Sequence, residues 1–160
     1  TYPVHTAIAR ASSIAKQKGI DINLKEDEDL YLLGDHIQIT SAIYNLLDNA
    51  IKYTEEGTGK IDITIEAKEN NIEIIISDNG IGIPEASHNR VFERFYRVDP
   101  SRSRDSGGTG LGLAIVRHVV LNHDGKISLD SKEGQGTSFT ISLPQQKQDQ
   151  IETNPTEVKV

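Results

Sequence analysis

Asn45 and Asn49 stand four residues apart in the run Asn45-Leu-Leu-Asp-Asn49-Ala-Ile-Lys52-Tyr53. At about 100° per residue, Asn45, Asn49 and Lys52 fall on one stripe of a helix, while Ile39, Ile43, Leu46 and Ala50 fall on another. Polar residues on a helix face are usually solvated and nothing more. Asparagine inside a helix costs about half a kcal/mol against alanine, however, so two at this spacing beside a lysine call for a reason. An amide oxygen is a hard ligand suited to Mg²⁺ beside nucleotide phosphates, which gives the pair a chemical use.

Three further segments carry chemistry. In Asp78-Asn-Gly80-Ile-Gly82-Ile-Pro84 a carboxylate ends an apolar run. It can accept a hydrogen bond from an exocyclic amine, and the glycines allow the backbone close to a flat ligand. The same residue types also suit an ordinary strand-to-helix turn. Gly107-Gly108-Thr109-Gly110-Leu111-Gly112-Leu113 opens a helix, where free backbone N–H groups and the positive end of the dipole favour phosphate. Its spacing matches neither a dinucleotide fingerprint nor a P-loop, and a flexible hinge is the alternative. Between them lies Arg90-Val-Phe92-Glu-Arg94-Phe95-Tyr96-Arg97, followed by Arg102 and Arg104, the most basic stretch of an acidic chain. Arginine's fork can bond two phosphate oxygens at once. Arg97 is singled out for a direct contact, with Arg94 and Arg102 behind it.

The elements that must position these residues follow from pattern. Helical spacing runs from Ala7 to Lys18 and stops at Gly19, and short strands follow at Ile20 to Leu24 and Leu30 to Leu33. Asp35 with Gln38 three residues on resembles a capping box, and opens a helix reaching about Tyr53. Ile61 to Ala67 alternates as a half-buried strand does, Asn70-Asn71 reads as the turn, and the more apolar Ile72 to Ser77 should lie centrally. Pro84 suits the first turn of a helix carrying Val91 and Phe92. Residues 98–110 lack periodicity and have the length of a lid. Leu111 to Leu121 is helical, and Ile127 to Asp130 pairs with Ser138 to Leu143. Beyond Pro144 the chain is polar, and 145–160 is expected to be a disordered tail after a domain spanning 1–144. The hairpins imply an α+β fold, a two-layer sandwich with a mixed sheet covered on one face by helices.

At 160 residues there is room for one domain. The formal charge of −7 argues against nucleic acid as a partner. Without cysteine there is neither a disulfide frame nor a thiolate metal site, which fits a cytoplasmic setting. No apolar run nears the roughly 20 residues of a membrane span, although a longer parent protein anchored in a membrane is compatible with this.

Taken in chain order, the four segments resemble the N, G1, F and G2 boxes of the catalytic ATP-binding domain of bacterial sensor histidine kinases, in the GHKL superfamily shared with gyrase, Hsp90 and MutL. Gly134-Gln-Gly136-Thr137-Ser-Phe139 resembles the last glycine box. The stretch from Phe92 to Gly112 looks most like phosphate-starvation sensor kinases. The resemblance implies a Bergerat fold with about five strands on three helices. It also implies a site for ATP and Mg²⁺ formed by Asn45, Asn49, Lys52, Tyr53, Asp78, Gly80, Gly82, Ile83, Arg97, Gly108, Thr109, Gly110, Leu111, Gly112, Leu113 and Thr137. In that implied site Asn49 holds the metal, Asn45 orients the phosphates, and Asn45 and Arg97 act in catalysis. Lys52 meets phosphate, Tyr53 lies against the adenine and Asp78 accepts from its amine. Gly82 and Thr137 line the base, and the Gly108, Gly110 and Gly112 amides hold phosphates under a lid at about 98–109.

The superfamily's ATPases place a glutamate one turn before the metal-binding asparagine, where this chain has Asn45. Without a carboxylate base hydrolysis should be slow, leaving the γ-phosphoryl for a histidine. Asp48 lies about 60° round the helix from Asn45 and is a poor substitute. No histidine here fits an acceptor: His5, His36, His88 and His118 lack an acidic neighbour, and His123-Asp124 runs into Gly125. The expected partners are therefore a dimerisation domain bearing the acceptor histidine and a cognate response regulator. The fragment is expected to be monomeric without autophosphorylating, and the parent a homodimer. The rival readings are an ATPase or clamp of the wider superfamily and a degenerate interaction module.

Overall fold

The computed structural model describes residues 2–97, 111–146 and 157–160. Helix α1 spans Pro3–Gln17, with Pro3 at its first turn, where a missing N–H costs nothing. It therefore starts one turn before the apolar periodicity begins. Strands β1 (Asp21–Glu26) and β2 (Tyr31–Leu33) lead to α2, His36–Lys52. As expected, the Asp35 carboxylate caps α2 by accepting from the Gln38 N–H at 3.0 Å. At the other end the Lys18 ammonium donates to the Ile51 carbonyl at 2.7 Å, where a cation also suits the dipole.

The hairpin of β3 (Lys60–Lys68) and β4 (Asn71–Asp78) turns at Glu69 and Asn70, one residue earlier than the sequence suggests. Glu69 takes the left-handed conformation at φ 56°. Helix α3 covers Gly112–Asn122, followed by β5 (Lys126–Lys132) and β6 (Gly136–Pro144). The main sheet has the order β1-β3-β4-β6-β5, parallel only between β1 and β3. It is the expected mixed five-stranded sheet with three helices, and β4 is central.

One face of the sheet makes the core. Ile61, Ile63 and Ile65 on β3, Ile72, Ile74 and Ile76 on β4, and Phe139, Ile141 and Leu143 on β6 are all buried. They meet Ile39, Ile43, Leu46 and Ala50 of α2, the stripe that spacing assigns to the core. Each such isoleucine contributes roughly 1.5–3 kcal/mol by burial. The opposite stripe of α2 is left half-buried, and it carries Asn45, Asn49 and Lys52.

Two expectations need correction. The segment after Pro84 forms only a 3-10 turn, Glu85–Ser87, and then separate turns rather than a helix. Val91 is buried and Phe92 stacks edge-on against Phe139 at 6.1 Å, so side-chain anchoring prevails there over a continuous ladder. The polar tail is not wholly without structure. Strand β7 (Glu157–Lys159) pairs antiparallel with β2, Val160 is buried, and the Gln146 N–H donates to the Tyr31 carbonyl at 2.8 Å. The open edge of β2 offers backbone partners that composition alone does not reveal. Residues 147–156 and the expected lid at 98–109 lie outside the described residues. No helix among the described residues is long and apolar enough to cross a membrane.

The Asp35 cap is linked to α3 as well, since the Asp35 N–H donates to His123 Nε2 at 3.0 Å. Asp35→Ala removes only the side-chain bond and should cost about 1 kcal/mol. A thermal melt should show this as a fall of about 2–4 °C in Tm.

Candidate functional site

The central strand ends at Asp78, whose register neighbours are Ile61 on β3 and Thr137 on β6. Its Oδ1 accepts from the Gly80 N–H at 2.9 Å and from the Thr137 N–H at 3.3 Å. Its Oδ2 has no partner among the described residues. Burial pushes the carboxyl above its ordinary range, and the two amide bonds pull it back in part.

The loop after Asp78 is packed against backbone on three sides. A Cβ at Gly80 would lie 2.2 Å from the Tyr53 carbonyl oxygen, one at Gly82 2.2 Å from that of Lys132, and one at Gly136 2.1 Å from that of Asp78. Gly82 and Gly136 also hold positive φ, 73° and 115°. Only glycine meets both demands. The Ile81 N–H donates to the Tyr53 carbonyl at 3.1 Å, which ties the end of α2 to this loop. Tyr53, Asp78, Gly80, Gly82, Ile83 and Thr137, separated by up to 84 positions in sequence, thus share one corner of the sheet.

A second group lies along α2. The Asn45 Nδ2 donates to the Ser41 carbonyl at 2.8 Å, which turns Oδ1 outward. There it faces the first residue of α3, since a Cβ at Gly112 would be 3.2 Å from it. The asparagine stripe therefore runs toward the N-terminus of α3, where free N–H groups favour an anion. One turn on, the Asn49 side-chain amide is half-buried and has no hydrogen bond among the described residues. A half-buried amide without a protein partner is a site that a ligand oxygen or a hard cation can complete. Lys52 instead pairs with Asp48 at 2.9 Å, so that carboxylate is engaged with an ammonium. Leu111 and Leu113 are half-buried beside Gly112, and Arg97 is half-buried at the edge of the described segment. Gly108, Thr109 and Gly110 lie outside the described residues.

Sequence reasoning missed two residues that hold the loop. Ser131 Oγ accepts from the Ile83 N–H at 2.7 Å, and the His88 Nε2 bonds to the Ile83 carbonyl at 2.8 Å. A signal for Ser131 was present: on β5 it shares the inward row with Ile127 and Leu129, where a hydroxyl needs a partner. The sequence carries no comparable sign for His88.

Residues 34–147 match the family described as histidine kinase-, DNA gyrase B-, and HSP90-like ATPase. The sensor-like histidine kinase SenX3 of Mycolicibacterium smegmatis is 46% identical over 142 residues, covering 89% of this chain and 37% of the relative. This chain therefore spans little more than a third of that protein. Among solved structures, the nucleotide-free catalytic domain of histidine kinase ThkA is similar at a TM-score of 0.77 and 29% identity, covering 89% of this chain and 90% of that one. Full-length ShkA in complex with AMPPNP is similar at a TM-score of 0.77 and 27% identity, over 89% of this chain and 29% of that one.

Proposed function

The chain belongs to the family of histidine kinase-, DNA gyrase B- and HSP90-like ATPases, and from that premise we propose that it binds ATP with Mg²⁺ and donates the γ-phosphoryl group to a histidine on a separate dimerisation domain. The observation that carries this reading is the Asp78 carboxylate. One of its oxygens is fixed by two backbone N–H groups, and the other has no partner among the described residues and lies beside a loop pressed against backbone. That free oxygen is a fixed acceptor, suited to the amine of adenine.

The bound metal would offset phosphate charge, and Asn49 would supply an amide oxygen to hold it. Asn45 and the N-terminal amides of α3 would orient the phosphates, together with Gly108, Thr109 and Gly110. Lys52 would exchange its half-buried partner Asp48 for phosphate, trading one anionic partner for another. Arg97 would meet the phosphates from the other side, and Tyr53 would cover the base.

The same geometry argues for phosphotransfer rather than hydrolysis. The residue that could activate water is an amide, Asn45, anchored to Ser41, and the α2 carboxylate Asp48 lies about 60° round the helix from it. Neither is a general base. The acceptor domain, a response regulator downstream of it, and a dimeric parent complete the proposed pathway. With ATP labelled in its γ-phosphate, label should pass to a separately prepared histidine-bearing dimerisation domain and none should remain on this chain. Rapid phosphate release from the chain alone would instead identify an ATPase of the wider superfamily.

A further inference from the structure

The Ser131 hydroxyl has three hydrogen-bond partners among the described residues and a fixed inventory: one proton to give and two lone pairs to accept with. The Ile83 N–H, at 2.7 Å, can only donate to it. The Gly136 carbonyl, at 3.0 Å, can only accept from it. Thr137 Oγ1, at 2.8 Å, could do either in isolation. With its proton committed to Gly136 and one lone pair to Ile83, Ser131 has only a lone pair left for Thr137. The Thr137 proton therefore points at Ser131. Thr137 is 7% exposed, and its hydroxyl has no other partner among the described residues. Towards anything else it presents lone pairs alone.

Thr137 is also the residue whose N–H holds Asp78 Oδ1. Its hydroxyl thus lies on the residue directly opposite the carboxylate in the strand register, and both offer acceptors. We propose that Ser131 is a positioning residue that sets the polarity of the purine site. By drawing away the Thr137 proton it keeps Thr137 an acceptor, so that the site favours a purine bearing an amino group over one bearing an oxo group at the same position. This rests on the ATP reading above. A site whose polar groups match one ligand leaves them unpaired with the other, and that mismatch is the source of its discrimination.

The test compares dissociation constants for ATP, inosine triphosphate and inorganic tripolyphosphate. The native chain should prefer ATP to inosine triphosphate. Ser131→Ala frees the Thr137 proton to turn toward the ligand, so ATP should weaken about 10-fold while inosine triphosphate holds or tightens. Tripolyphosphate, which lacks a base, should be unaffected. Ser131→Thr keeps the hydroxyl and should restore the preference. Equal weakening of both nucleotides, or of tripolyphosphate as well, would reduce Ser131 to a structural role and overturn the proposal. Should Ser131→Ala fail to fold, Thr137→Val keeps the volume without the hydroxyl and must narrow the same ratio. An unchanged ratio there also overturns it. A native chain that bound tripolyphosphate but neither nucleotide, or bound none of the three, would overturn the ATP reading itself.

Discussion

Replacing Asp78 with asparagine is expected to lower ATP affinity by at least about 100-fold without weakening the fold. The asparagine oxygen can keep both bonds that now hold Oδ1, from Gly80 and Thr137. What changes is the second position, where an acceptor becomes an NH₂ donor facing the donor of an aminopurine. Losing one charge-assisted bond and adding a donor clash accounts for about 2.7 kcal/mol. Burial raises the Asp78 pKa, so the folded chain holds that proton more tightly than the unfolded one. Its charge then costs stability at neutral pH, and the cost disappears as pH falls through the folded pKa. Asparagine carries no such charge. Asp78→Asn should melt at the native temperature or above it at pH 7, and lose that advantage in acid. A lower melting temperature at neutral pH, or undiminished ATP affinity, would contradict this account of the residue.

Gly136→Ala should be the most destabilising single change in the site. The residue holds φ 115°, and the new methyl group would lie 2.1 Å from the Asp78 carbonyl oxygen, which belongs to the central strand. Neither backbone can yield without breaking the β4–β6 register. Strain and overlap together should exceed about 3 kcal/mol, and a melting curve should fall by about 10 °C or show no folded baseline. Gly134 is the control. It has a similar left-handed conformation, φ 84°, but an added Cβ would meet nothing within 4 Å. Gly134→Ala should cost only about 1 kcal/mol, as conformation alone dictates. Equal losses at the two positions would mean that φ, not proximity to Asp78, governs both.

The architecture was legible where one local signal dominated. Strict alternation placed Ile61, Ile63 and Ile65 on the inner face of β3, the more apolar composition of β4 marked the central strand, and Asp35 and Gln38 fixed the start of α2. Legibility failed where tertiary contacts overrode local preference. Pro84 and the residues after it look helical, yet Phe92 is anchored on Phe139 and Phe95 takes φ 64°, which no helix contains. The tail looks too polar to order, yet β7 completes an open edge and buries Val160. At the candidate site, a carboxylate and glycines closing an apolar run drew notice to Asp78, Gly80 and Gly82, although the same types also suit an ordinary turn. Ser131 was not singled out: its place in the inward row of β5 signals a need for a partner, but the partners come from two other segments and do not show in the local pattern.

In the proposed site α2, the loop after Asp78 and the start of α3 together hold ATP and its metal ion. Calorimetric titration of ATP into the native chain and into Asn49→Ala, each in Mg²⁺ and in EDTA, puts this to the test. The native chain should bind one ATP with a Kd below about 1 mM in Mg²⁺ and more weakly in EDTA. Asn49→Ala in Mg²⁺ should bind about as the native chain does in EDTA. Absence of binding by the native chain, or an Asn49→Ala protein whose response to Mg²⁺ matches the native one, would contradict it.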